Sequence, residues 1–126
     1  MFSKSLATGK TTEIKVAKSE YKGVVGIDVR KYYKGEPTKK GAFLDISAGQ
    51  AEFVVNTLPA VLQDSEPRTL PGSGRGMDVV VSRYDYKGMQ GYSIRKQAAN
   101  GYGKGIWVNA EQAAWVLEAM QQAIAA

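Results

Sequence analysis

Five basic residues, Arg30, Lys31, Lys34, Lys39 and Lys40, and three aromatic ones, Tyr32, Tyr33 and Phe43, fall within the stretch IDVRKYYKGEPTKKGAFL, Ile27–Leu44. Asp28 and Glu36 are its only acids. Such a stretch is either a solvated surface or a surface for a partner with flat faces and negative charge. On the second reading, bases stack on the rings while the cations track phosphates. Other chemistry is poorly supplied. The chain has no His and no Cys, which removes the commonest general base, the commonest metal ligand and any thiolate site. Asp28, Asp45, Asp78 and Asp85 are isolated in sequence. Asp45 with Ser47 reads better as helix-entry chemistry. PGSGRG (residues 71–76) lacks the Gly-Lys-Ser/Thr ending of a phosphate loop and reads as a flexible linker. No nucleophile-elbow pattern occurs. The expectation is a protein that is not an enzyme and uses no cofactor and no metal.

The elements that would position these side chains come as a repeat. EIKVAKSEYKGVVGIDVRK (Glu13–Lys31) aligns without gaps on DVVVSRYDYKGMQGYSIRK (Asp78–Lys96) at a constant offset of 65. Tyr21-Lys22-Gly23 falls on Tyr86-Lys87-Gly88, Gly26 on Gly91, and Arg30-Lys31 on Arg95-Lys96. Farther on, Lys40-Gly41 corresponds to Lys104-Gly105, and Phe53 to Trp115. A unit of about fifty residues barely sustains its own core, so two are expected to share one. Each unit reads as strand, YKG turn, strand, Gly-containing loop, short third strand and helix. The third strands are expected at residues 42–46 and 106–108. Ser47 with Gln50, and Asn109 with Gln112, fit capping boxes. Helix one offers Ala51, Val54, Val55, Leu58 and Leu62 at core spacing, with Pro59 expected to bend or end it. Helix two offers Ala113, Val116, Leu117, Met120 and Ile124. The chain of 126 residues is therefore expected to be one domain: repeat one at 13–63, a linker at 64–77, and repeat two at 78–124.

Charge is segregated along this plan. The helical stretches Ser47–Gln63 and Asn109–Ala126 contain none of the 17 basic residues. They carry −3, so the rest of the chain carries +8 against a net +5. If both helices cover one face of a sheet, the opposite face is basic and suited to a polyanion. Strand alternation adds the rings. With Ala42 and Leu44 inward, Phe43 points out; with Ile106 and Val108 inward, Trp107 points out. Ile27 and Val29 inward put Arg30 and Tyr32 outward, and Arg95 follows in the second unit. The candidate binding residues are Lys15, Lys22, Arg30, Tyr32, Lys39, Lys40, Phe43, Lys87, Arg95, Lys104 and Trp107. The alternative for Phe43 and Trp107 is a buried edge or a dimer contact. Tyr21 and Tyr86, in the turns, either stack on bases or pack over the hairpins.

Ile27–Leu44 resembles the central motif of the transcriptional coactivator family known as positive cofactor four. That motif reads Ile-Asp-Ile/Val-Arg-Lys/Glu-Tyr-Tyr/Trp, then a Pro-containing loop, then a Lys-Gly pair before a helix. KGIWVNAEQ (Lys104–Gln112) is similar to that family's helix entry, with Ala110 where Pro is usual. The tandem strand–strand–strand–helix unit also resembles Pur-alpha repeats. The second repeat departs from the motif, since IRKQAAN keeps Arg95-Lys96 and loses both tyrosines. The first hairpin of either unit is shorter than in the single-repeat coactivators. The resemblance covers about Glu13–Gln63 and Asp78–Ile124. It implies single-stranded DNA binding across a curved sheet, with basic positions at Arg30, Lys40, Arg95 and Lys104.

The fold expected is α+β: two strand–strand–strand–helix repeats forming one curved antiparallel sheet backed by two helices, an intramolecular pseudo-dimer that either stops there or dimerises again. The function expected is single-stranded DNA binding, largely independent of sequence, in replication, recombination or transcription, with RNA left open as a partner. The alternative is a transcription-regulatory protein-interaction module that binds duplex DNA weakly. No apolar run approaches the roughly 18 residues of a membrane span, and MFSKSLATGK lacks a secretory apolar core. The expected location is cytoplasmic and DNA-associated, as in a nucleoid.

Overall fold

The computed structural model describes residues 2–72, 76–98, 100–101 and 103–126. The chain is α+β, with ten elements in order: β1 (Ser3–Ala7), β2 (Thr12–Tyr21), β3 (Val24–Tyr33), β4 (Glu36–Asp45), α1 (Gln50–Asp64), β5 (Arg68–Leu70), β6 (Asp78–Arg83), β7 (Gly91–Gln97), β8 (Gly103–Asn109) and α2 (Ala110–Ala125). The strands form two four-stranded antiparallel sheets, ordered β1-β2-β3-β4 and β5-β6-β7-β8. The expectation of one continuous sheet is thus corrected. The two sheets abut through β4 and β8 without a shared ladder.

Alternation builds the core as expected. Ile14 and Val16, Ile27 and Val29, and Ala42 and Leu44 are buried in the first sheet. Val79 and Val81, Tyr92 and Ile94, and Ile106 and Val108 are buried in the second. Register sets them side by side: Val16, Val29 and Ala42 form one row, and Val81, Ile94 and Ile106 another. These rows and the apolar faces of both helices make a single cluster. Each helix also crosses to the other half. α1 packs on β6 and β5 as well as β4, and α2 packs on β2 and β3 as well as β7 and β8.

Two strands were not anticipated. β1 and β5 are short, and their residues alternate between half-buried and exposed, with little apolar content. They hold their places by pairing to β2 and β6. β5 lies inside the stretch 64–77 read as a linker; residues 73–75 of that stretch, within PGSGRG, lie outside the described residues, as do Ala99 and Tyr102 of the second Gly-containing loop.

The third strand of the first half starts earlier than expected. Lys34-Gly35 (φ 50° and 79°) closes a tight hairpin of the same form as Lys22-Gly23 and Lys87-Gly88. Positive φ at both central residues is the two-residue turn that matches strand twist. β4 therefore begins at Glu36, and the "loop" Pro37–Lys40 is strand. Its irregularity is a bulge: Arg30 pairs Gly41 while Tyr32 pairs Pro37. Thr38 locks it, with Oγ1 donating to the Lys31 carbonyl at 2.7 Å and accepting from the Lys40 N–H at 3.2 Å.

At the helix starts, the Asn109–Gln112 capping box forms with both bonds present. The Ser47–Gln50 box does not form. α1 starts after Gly49 at φ 78° without a side-chain cap. Ser47 instead donates to Asp45, and Gln50 accepts from the Asp45 N–H. Pro59 does not end α1, which runs on to Asp64.

Candidate nucleic-acid interface

Phe43 and Trp107 lie on the helix-free sides of their sheets, opposite Asp28 and Ser93. Both are half-buried, because each ring lies down across the neighbouring strand over a glycine. A Cβ at Gly26 would come within 2.6 Å of the Phe43 ring, and one at Gly91 within 2.1 Å of the indole. Only glycine leaves room for a ring to lie flat there. A tyrosine from each YKG hairpin meets each ring. Tyr21 lies 6.1 Å from Phe43 at 59°, and Tyr86 lies 5.9 Å from Trp107 at 61°. These are the tilted and edge-on geometries that aromatic quadrupoles favour. Both tyrosines remain half or more exposed (60% and 50%), so they brace the rings and still present surface. Trp107 is further fixed by Nε1, which donates to the Tyr84 carbonyl at 2.6 Å.

Each platform carries a lysine from the other half of the chain. Lys31 places Nζ 5.6 Å from the centre of the Trp107 ring. Lys96, its counterpart at the offset of 65, donates Nζ to the Phe43 carbonyl at 3.0 Å. Burial pushes both ammonium pKa values below the ordinary lysine range; the Lys40 charge pushes Lys31 further down, while Asp45 pulls Lys96 back up. Lys22 and Lys87 stand beside Tyr21 and Tyr86, each 5.3 Å from the ring centre.

Two grooves result. That around Trp107 has a volume of about 490 Å³ and is lined by Lys31, Lys40, Arg95, Tyr84, Tyr86 and small residues, with no carboxylate. That around Phe43 is smaller, about 270 Å³, and is lined by Tyr21, Lys22 and Lys96 together with Asp45. Three unopposed cations around one cavity repel each other until an anion enters.

Several expectations about single residues change. Arg30 is not a free cation: its guanidinium chelates Asp28 at 3.0 and 3.1 Å and donates to the Thr38 carbonyl at 2.8 Å. Ser93 replaces the carboxylate beside Arg95, and no ion pair engages Arg95 among the described residues. At Gly41 a Cβ would strike the Arg30 side chain at 2.8 Å, and at Gly105 the Ile94 carbonyl at 2.3 Å and the Arg95 side chain at 2.6 Å. Lys15 stacks on Tyr32 at 4.4 Å, forming a separate cation–ring cluster. Lys39 and Lys40 are exposed on the bulge. Lys104 pairs with Lys96 on the strand parity of Ile106 and lines neither groove. The basic residues are also less segregated than their sequence positions imply. Lys4 and Lys18 reach α2, donating to Gln122 at 3.2 Å and to the Ala126 carbonyl at 2.7 Å. The second contact places a cation at a helix C-terminus, where the dipole favours it.

Lys31, Lys96 and Tyr84 were missed because alternation assigns Lys31 and Lys96 to the inward rows. The signal that could have found both lysines is the recurrence of the whole Arg-Lys pair, not of the arginine alone. No protein-family model matches the chain, and no curated protein matches it. Among the described residues no helix is long and apolar enough to cross a membrane, and no cluster of His, Cys, Asp and Glu could hold a metal ion.

Proposed function

We propose that the protein binds single-stranded DNA across the helix-free sides of its two sheets, largely without regard to sequence. The observation that carries this reading is the pairing of each aromatic platform with cations drawn from both halves: Trp107 with Lys31, Lys40 and Arg95, and Phe43 with Lys22 and Lys96. Rings take bases of any identity, and cations take the phosphates between them. In duplex DNA the base faces are already stacked, so the rings have nothing to receive. The proposal includes a duplicated unit whose two copies act as an intramolecular pseudo-dimer, and kinship with the positive cofactor four and Pur-alpha proteins that Ile27–Leu44 resembles. Work on unpaired strands in replication, recombination or transcription is the corresponding role. Tryptophan fluorescence titrations with a poly-dT oligomer and a matched duplex test the reading. Quenching by the oligomer with much weaker duplex binding is expected; absent or equal binding of the single strand overturns it.

A further inference from the structure

The two platforms are not equivalent, and the differences favour the same one. The Trp107 groove, at about 490 Å³, falls within the roughly 300–1,000 Å³ of small-molecule sites; the Phe43 groove, at about 270 Å³, falls below it. The first gathers Lys31, Lys40 and Arg95 without a carboxylate; the second sets Asp45 against Lys22 and Lys96. Lys96 is held by the Phe43 carbonyl, whereas no hydrogen bond or ion pair involving the Lys31 ammonium is found among the described residues, and its partner is the indole ring. One face of that indole rests on Gly91. A base stacking on Trp107 must therefore take the place of Lys31, and the displaced ammonium lies beside Lys40 and Arg95.

We propose that the Trp107 groove is an anchoring subsite for one nucleoside monophosphate unit, and that Lys31 leaves the indole for the phosphate as the base stacks. The Phe43 groove is then the weaker subsite. This rests on the single-strand reading above and adds an order of occupancy to it. Lys31 acts as a displaceable cap: it shields the ring while the groove is empty and completes a cluster of three cations around the phosphate when it is filled. Asp45 is what most weakens the second groove, since the matching position on β8 is the neutral Asn109.

The test uses the full ¹⁵N-labelled chain and three probes: thymidine 5′-monophosphate, thymidine and inorganic phosphate. The readouts are the Trp107 indole N–H, assigned with Trp107→Phe, and the backbone amides of Gly91 and Gly26. The monophosphate is expected to shift Trp107 and Gly91 at a concentration at least about tenfold below that needed with either fragment, with Gly26 unmoved. Lys31→Ala or Arg95→Gln should raise that concentration about tenfold, and Asp45→Asn should make Gly26 respond. Equal responses at Gly26 and Gly91, or a monophosphate no better than thymidine, overturns the proposal. Oligo-dT that moves Trp107 where the monophosphate does not overturns the subsite and leaves the single-strand reading standing. Binding of the monophosphate with no binding of oligo-dT upholds the subsite and removes that reading.

Discussion

Lys96 reaches across from β7 to donate its ammonium to the carbonyl of Phe43 on β4, at 3.0 Å and 53 positions away in sequence. Lys31 makes the reciprocal crossing to Trp107. Each half of the chain thus completes the other's aromatic platform.

Salt dependence separates the cations that face a ligand from those already engaged. Lys40→Ala and Arg95→Ala should each flatten the log–log salt dependence of oligo-dT binding by about 0.7, one single-strand phosphate contact. Arg30→Ala should change it little, because Asp28 already neutralises that guanidinium, and Lys104→Ala should also change it little. Titrations between low and moderate salt measure all four.

Removing rings should do the opposite. Trp107→Ala and Phe43→Ala should each cost about 1–3 kcal/mol of single-strand affinity while leaving the salt slope alone. The larger loss is expected for Trp107. A double variant that binds at full strength with its fold intact would show that the rings serve the fold only.

Gly91→Ala tests the seat of the indole. The new methyl would lie 2.1 Å from the ring, so the ring must lift or the strands must shift. Stability should fall by about 1–3 kcal/mol, as in overpacked sites, and the Trp107 emission should move. Denaturant unfolding and a fluorescence spectrum read both.

The lowered Lys31 pKa gives pH effects of opposite sign on stability and affinity. Between that lowered value and the ordinary 10.5, the unfolded chain binds more protons than the folded one, so the Lys31 contribution to stability rises with pH. Affinity for a phosphate falls over the same window, because the folded lysine has lost its charge. The loss should begin at a lower pH than for a surface lysine, and Lys31→Arg should remove it. Oligo-dT titrations in alkaline buffers follow the affinity.

A fragment ending at Gln63 should be poorly folded or should pair with a second copy. α1 buries Val54, Leu58 and Val61 in a helix that packs on β6 of the second half, and the fragment has no β6. Sedimentation distinguishes the outcomes; a stable monomeric fragment would contradict the shared core.

Much of this architecture is legible in the chain. Strict alternation around Ile14, Ile27, Val79 and Ile94 specifies the inner rows, and it carries the outward placement of Phe43 and Trp107. What alternation misses has physical causes. β1 and β5 hold too little apolar surface to signal strands and depend on a partner's ladder. The Ser47–Gln50 pattern is overridden by Asp45, whose carboxylate captures the Ser47 hydroxyl and the Ala48 N–H. The roles of Lys31 and Lys96 arise only when two sheets meet, since their own strands aim them toward the inward side. Arg30 illustrates the converse: its recurrence marks it as a candidate, and its ion pair with Asp28, two positions away, emerges only in the fold.

The crossing of α1 onto β6 bears on how the chain acquires its structure. The first half cannot bury that helix until β6 exists, and its own sheet stays uncovered until α2 returns to β2 from the far end of the chain, so closure waits for contacts between residues far apart in sequence. Such long loops are slow to close, and the wait leaves an apolar helix face open in each nascent chain. At high concentration that face can meet the second sheet of another molecule before its own. Exchange of halves between copies, giving interlocked dimers, is the characteristic failure of such a topology. Refolding yield should accordingly fall as protein concentration rises.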